Sequence, residues 1–219
     1  MTVITDVESY QSQLENLLEQ LPNMLPADKL AIFHRDADQL GNAYPPAFKL
    51  KPGDKAPDFV LPNAKGEQVS LSSELKRGKV VLTFYRGVWC PYCNLQLKMY
   101  QQILPQIRQA GARLVAVSPM TPDNSQAMID SNALQFEVLS DAGNRVAQQY
   151  TSVIQNPKSS IQAMADLGYD FYSFNQEKSD QLPIPATFII AENGTVVFSA
   201  SEGGDYRQRV EPSEILDHL

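Results

Sequence analysis

The chain has 219 residues, 25 of them acidic and 18 basic, for a formal net charge of −7. With no lysine or arginine cluster to offset it, that balance excludes nucleic acid and anionic membranes as expected partners. A hydrophobic fraction of 43% suits one sizeable core, and no apolar run approaches the ~18 residues of a membrane span.

Residues 1–46 read as a helical extension. Thr5 with Glu8 makes a capping-box pattern, and Leu14, Leu17, Leu18 and Leu21 supply an apolar stripe. The first residues lack the basic head and apolar middle of a signal peptide, so the expected location is cytoplasmic. Pro22 and Pro26 predict a break, and a second helix is expected over 27–40, stopped by Gly41 and Asn42. The stripe must bury either against the rest of the chain or against a second copy, as in a homodimer.

Residues 47–219 read as the main domain. Segments 58–61 and 68–71 flank an Asn-Ala-Lys-Gly turn and predict a hairpin. The continuous apolar run 80–85 predicts a buried strand. A helix is expected over 91–110, its core face marked by Leu97, Tyr100, Leu104 and Ile107, with Gly111 ending it. Strand 113–117 follows, then a helix capped by Thr121 with Pro122 in its first turn. Next come strand 136–139 and a helix over 141–150. The apolar-sparse stretch 151–182 suggests one short helix near 158–167 and otherwise loop. Strands 186–190 and 195–199 join through Asn193-Gly194, and Pro212 opens a last helix. Alternating strands and helices of this kind imply an α/β fold, a mixed sheet with helices on both faces.

The chemistry concentrates at Cys90-Pro91-Tyr92-Cys93, which holds both cysteines of the chain. They fall where a strand hands over to a helix N-terminus, and unpaired N–H groups and the helix dipole stabilise a thiolate there. Positions i and i+3 share one face, within the roughly 4.4–6.8 Å Cα separation a disulfide needs. Cys90, nearest the free N–H groups, is expected to be the more exposed and more acidic thiol and hence the nucleophile. Cys93, under the first turn, is then the resolving thiol. Arg86 either lends the pair its charge or is a solvated strand-end arginine. In a reducing cytosol a disulfide here is transient and catalytic. His34 and His218 have no ligand spacing to each other or to the cysteines, so neither a metal nor another cofactor is expected. Pro185, directly before a predicted strand, belongs at a strand start; from the residues alone it is a trans proline ending a loop.

Three segments extend the reading. Pro52-Gly53-Asp54-Lys55-Ala56-Pro57-Asp58-Phe59 resembles the opening signature of the alkyl hydroperoxide reductase/thiol-specific antioxidant group, the peroxiredoxin-like branch of the thioredoxin superfamily. Leu71–Leu75 with Gly78–Leu82 resembles that group's lead-in to the active cysteine, and Ile184-Pro185-Ala186-Thr187-Phe188 resembles the superfamily's cis-proline strand. The resemblance spans roughly 50–218. It implies a thioredoxin-like, peroxiredoxin-type fold, a cis Pro185 beside the thiols, and supporting roles for Trp89, Arg86, Pro185 and Thr187. Typical peroxiredoxins carry Pro-x-x-x-Thr-x-x-Cys, whose threonine and a remote arginine bind peroxide. Counted back from Cys90, Gly87 stands at the threonine position and Thr83 at the proline position. Arg207 or Arg209 is the candidate remote arginine. The tetrapeptide itself resembles that of dithiol glutaredoxins, and Trp89-Cys90 resembles the thioredoxin start. The implied function is a thiol peroxidase working through a Cys90–Cys93 disulfide, restored by thioredoxin or glutathione. The alternatives are a thiol-disulfide oxidoreductase acting on a disulfide substrate and a redox-sensing binding module.

Overall fold

The computed structural model describes residues 8–46 and 49–219. Two helices lead the chain, α1 (Tyr10–Met24) and α2 (Ala27–Ala43). The Thr5 cap lies outside the described residues, and the observed N-cap of α1 is Ser9, whose side chain accepts from the Ser12 N–H at 3.1 Å. Two expected boundaries move. Pro22 sits inside α1, where its missing N–H leaves only the carbonyl of the part-exposed Leu18 without a helical partner. Helix α2 runs through Gly41 and ends only when the Tyr44 N–H bonds the Leu40 carbonyl.

The stripe on these helices buries within the chain. Tyr10, Leu14 and Leu21 join Ala37, Leu40 and both cysteines in one core cluster. Polar ties hold the helices down. Tyr10 Oη donates to the Arg207 carbonyl at 2.7 Å, and Tyr206 Oη donates to the Phe33 carbonyl at 2.7 Å. Buried Asp36 accepts from Ser159 Oγ at 2.5 Å and Ser160 Oγ at 2.8 Å. Leu14 and Leu21 of the predicted stripe thus find cover within the chain, while Leu18 stays exposed.

A hairpin of β1 (Val60–Pro62) and β2 (Gln68–Ser70) precedes the short helix α3 (Leu71–Leu75). The central strand β3 (Lys79–Phe84) leads into α4 (Pro91–Gln102), then α5 (Leu104–Gln109) and β4 (Ala112–Ser118). The single helix expected over 91–110 is thus two. Pro105 has no N–H to give the Gln101 carbonyl, and its ring crowds the preceding turn, so the helix breaks at Ile103. Helix α6 (Pro122–Asn132) opens as expected, with Thr121 Oγ1 accepting from the Asn124 N–H at 3.2 Å.

After β5 (Glu137–Ser140), the helix expected over 141–150 is reduced to a 3₁₀ turn and the four-residue α7 (Ala147–Tyr150). Gly143 and Asn144 both take positive φ, 70° and 57°, which no α-helix accommodates. The short helix expected near 158–167 is α8 (Lys158–Asp166), and the rest of the stretch, expected as loop, holds β6 (Val153–Gln155) before it and α9 (Phe171–Phe174) after it. It leads into β7 (Gln181–Pro183), which pairs antiparallel with β6. Strands β8 (Ala186–Ile190) and β9 (Val196–Ala200) and helix α10 (Pro212–Asp217) complete the fold.

The main sheet runs β5-β4-β3-β8-β9, with β3, β4 and β5 parallel and β8 and β9 antiparallel to their neighbours. Alternation along β3 divides the core. Val80, Leu82 and Phe84 face a cluster containing Tyr150 and Phe188, while Val81 faces one built around Tyr100 and Ile107. Both faces are covered by helices, which explains why β3 reads as an unbroken apolar run. Among the described residues, no helix is long and apolar enough to cross a membrane.

Candidate active site

The chain leaves β3, makes a short loop over Arg86–Trp89, and enters α4 at Cys90, its N-cap, with Pro91 in the first turn. The loop is fixed from several sides. Asn94 Nδ2 donates to the Val88 carbonyl at 2.6 Å and the Cys90 carbonyl at 2.9 Å, and the Cys90 N–H bonds the Gly87 carbonyl at 3.2 Å. Trp89 folds back over Gly87 so closely that a Cβ on Gly87 would stand 2.5 Å from the indole nitrogen. A side chain at position 87 would therefore displace Trp89, and that is the local reason glycine stands there.

Both cysteines are reduced and buried, Cys90 at 1% exposure and Cys93 at 0%. The contacts that favour a thiolate gather on Cys93 and not on Cys90. Arg209, itself 3% exposed, donates from Nη2 to the Cys93 sulfur at 3.2 Å. Burial pushes the Cys93 thiol up, but a hydrogen bond from the Cys90 thiol, the Arg209 charge, and the Arg86 backbone N–H and charge together bring it well below the ordinary thiol range. Cys90 goes the other way: burial raises its thiol, and donating its proton toward the Cys93 sulfur raises it further. The Arg86 and Arg209 charges lower Cys90 as well, but they do not offset its burial and its hydrogen bond to Cys93.

Arg209 is held as tightly as the sulfur it serves. Its Nε donates to Gln96 Oε1 at 2.9 Å, and Nη1 donates to the Tyr206 and Gln208 carbonyls. Gln96, one turn after Cys93 on the same face of α4, turns its amide nitrogen to Tyr100 Oη at 3.2 Å and Thr83 Oγ1 at 3.4 Å. Thr187 closes this buried network, with its Oγ1 3.0 Å from that of Thr83 and 3.4 Å from Tyr100 Oη. Thr187 therefore supports the site from behind and does not face it.

Of the other candidates, Arg86 points inward and is 4% exposed. Its guanidinium lies 3.8 Å from the Tyr206 ring centroid and 4.9 Å from that of Trp89, and Nη2 donates to Asn156 Oδ1 at 2.8 Å. Arg207 does not serve the thiols; it pairs with Asp38 and with Asp205. Pro185 departs from expectation: no cis peptide bond occurs among the described residues, and the Pro185 carbonyl is taken by Ser201 Oγ at 2.7 Å. Among the described residues no three His, Cys, Asp or Glu side chains converge on a metal position.

A cavity of about 840 Å³ opens beside the pair. Leu17, Leu21 and Met24 of α1 and Leu30 and Phe33 of α2 roof it, and its floor includes Arg86, Trp89, Cys90 and Asn156. Cys90 faces this space and Cys93 lies behind it. Gln96 and Asn156 are the functional residues the sequence reading passed over. A polar residue on the buried stripe between Cys93 and Tyr100 was a detectable signal for Gln96; nothing local marks Asn156.

Comparison with known proteins follows the same frame. The profile of the AhpC/TSA family matches residues 52–199. Rv2521 of Mycobacterium tuberculosis, described as a peroxiredoxin, is 30% identical over 149 residues, covering 68% of this chain and 83% of that protein. Peroxiredoxin Bcp of Escherichia coli is 31% identical over 101 residues, 46% of this chain and 64% of that protein. The solved structure of peroxidoxin BcpB from Mycobacterium tuberculosis superposes with a TM-score of 0.60 at 22% identity, covering 77% of this chain and 96% of that one. That last likeness bears on the fold alone.

Proposed function

Because the chain belongs to the AhpC/TSA family and is a thiol-dependent peroxidase of the peroxiredoxin type, we propose a cycle in which Cys93 is the attacking thiolate and Cys90 the thiol that resolves it. The observation that carries this assignment is the Arg209 guanidinium on the Cys93 sulfur. A thiolate is the reactive species, and the cation at hydrogen-bond distance maintains it in a buried site. Counted back from Cys93 instead of Cys90, the threonine position of Pro-x-x-x-Thr-x-x-Cys is Cys90 itself and the proline position is Arg86. The Cys90 thiol then replaces the threonine hydroxyl as the donor that orients peroxide.

The Cys93 thiolate attacks the distal oxygen of the hydroperoxide. The O–O bond breaks, an alkoxide or hydroxide leaves and takes a proton, and Cys93 becomes a sulfenic acid. Cys90 sulfur then attacks the Cys93 sulfur, expelling water and forming the Cys90–Cys93 disulfide. Thioredoxin or glutathione, both available in the cytoplasm, returns the pair to the dithiol.

Mass spectrometry of single-cysteine variants separates the roles. After one equivalent of hydrogen peroxide, Cys90→Ser is expected to hold a sulfenic acid on Cys93, and Cys93→Ser to consume peroxide no faster than free cysteine. If Cys90 collects the oxygen in Cys93→Ser while Cys93 stays reduced in Cys90→Ser, Cys90 is the nucleophile and the assignment here is wrong.

A further inference from the structure

Access to the pair runs through the cavity beside Cys90. Both sulfurs are buried, α1 lies on α4, and the roof of the cavity consists of residues of α1 and α2. A protein thiol has to bring its sulfur into contact with the one it attacks, and this cover stands in the way. The cavity itself is of another scale. A water molecule takes about 30 Å³, so a space of about 840 Å³ far exceeds what hydrogen peroxide needs. It falls within the ~300–1,000 Å³ typical of small-molecule sites.

The walls carry unspent donors. Arg86 makes one side-chain hydrogen bond, to Asn156, and among the described residues no carboxylate pairs with it. Asn156 is 2% exposed, and its Nδ2 has no partner among the described residues. Lys98 stands at the cavity, exposed and outside any ion pair among those residues. A buried cation with so little compensation is costly unless an anion joins it. In the reduced enzyme the Cys93 sulfur, which accepts from Arg209 at 3.2 Å, is the group placed to supply that anion. In the disulfide it is gone, leaving Arg86 and Arg209 both without a negative partner.

We propose that this cavity admits a small thiol bearing a carboxylate, which reduces the Cys90–Cys93 disulfide at Cys90, with Arg86 and Asn156 receiving the carboxylate. The proposal rests on the disulfide cycle above and names its reductant class. A thiolate R–S⁻ attacks Cys90 sulfur, the only one of the pair that lines the cavity. The Cys90–Cys93 bond breaks and Cys93 departs as the thiolate held by Arg209; a more acidic thiol leaves faster. A second R–S⁻ attacks the thiol-derived sulfur of the mixed disulfide, releasing R–S–S–R, and Cys90 takes a proton. Two R–SH are consumed and one R–S–S–R forms. Because oxidation removes the thiolate, the subsite binds an anion better in the disulfide form than in the dithiol.

The test starts from full-length protein oxidised with diamide, so it needs no peroxidase step. Reduction rates are measured with glutathione, glutathione ethyl ester, mercaptoethanol, and a thioredoxin with its reductase. Glutathione is expected to saturate and to exceed its ester by on the order of tenfold or more, the effect of one charge-assisted contact, and to outpace thioredoxin. Lys98→Glu is expected to raise the glutathione KM while leaving the mercaptoethanol rate within about twofold, since that thiol carries no charge to recognise, and Arg86→Gln is expected to bring the ratio of glutathione to ester rates toward one. Should Arg86→Gln fail to fold, Lys98→Glu and the ester comparison decide. Equal rates for acid and ester, or faster reduction by thioredoxin, overturn the proposal. A parallel arm compares a fatty-acid hydroperoxide with its methyl ester in the oxidation step. A carboxylate preference there and none in reduction assigns the subsite to the oxidant and overturns it too. Failure of diamide to form the Cys90–Cys93 disulfide is instead a failure of the cycle itself.

Discussion

Arg209 reaches back 116 residues to place its Nη2 3.2 Å from the sulfur of Cys93. Burial alone would make that thiol a poor nucleophile, and the guanidinium is a principal reason it is not. Arg209→Met keeps much of the volume and removes the charge and the donor. The peroxide kcat/KM at neutral pH is expected to fall about 10²–10³-fold, the usual cost of one positioned donor in a dry site.

The same contact fixes a pH dependence. The Cys93 thiol is depressed, so its thiolate forms at pH values below the ordinary thiol pKa of about 8.5. Iodoacetamide labelling of Cys93 should therefore reach half its plateau on the acid side of that value. In Arg209→Met burial dominates and the midpoint moves toward alkaline pH. A wild-type midpoint above the ordinary value would remove the basis for Cys93 as nucleophile.

Gln96 acts on the sulfur only through Arg209, whose Nε it accepts at 2.9 Å. Replacing it with leucine leaves a buried guanidinium nitrogen unpaired, at a cost of about 1–3 kcal/mol, so the melting temperature should drop. A structural role alone would stop there. The positioning role also predicts that the labelling midpoint of Cys93 shifts upward.

The cover depends on Asp36, whose carboxylate takes both Ser159 and Ser160 hydroxyls. Asp36→Ala strands the buried Ser160 hydroxyl and should destabilise the protein by about 1–3 kcal/mol. Labelling of Cys90 should speed up as α2 loosens from α8. Unchanged labelling in a folded Asp36→Ala protein would mean that the roof does not control access.

Gly78 precedes the strand that delivers the site. Its φ is +138°, and a Cβ there would stand 1.9 Å from the Gly111 carbonyl oxygen. Gly78→Ala should cost at least about 2 kcal/mol in strain, read as a lower urea midpoint with an unchanged slope.

Much of this architecture is legible locally. The run at β3, the turn at Asn193-Gly194, the Thr121 cap and the paired cysteines each announce themselves within a few residues. Pro105 was equally local, yet the apolar spacing of Leu97, Tyr100, Leu104 and Ile107 continues across it and disguises the break. Strands β6 and β7 are three residues each and gain their identity only by pairing with one another, which no pattern in either reveals. The contacts that distinguish the two thiols were out of reach for a related reason. Helix position is a local property and favoured Cys90. The charge of Arg209 comes from far along the chain, and it favours Cys93. Choosing Arg209 over Arg207 likewise required seeing Asp38 and Asp205 take the latter.

The stretch 205–211 supplies Arg209 to the sulfur and, through Glu211, accepts the Tyr10 N–H at 2.6 Å and the Gln11 N–H at 3.1 Å, closing a loop of about two hundred residues. A ribosome adds residues from the N-terminal side. For most of its synthesis the chain therefore carries Cys90 and Cys93 without Arg209 and without the tie from Glu211 to α1. The full setting of the Cys93 sulfur is assembled only as the C-terminal end of the chain is added.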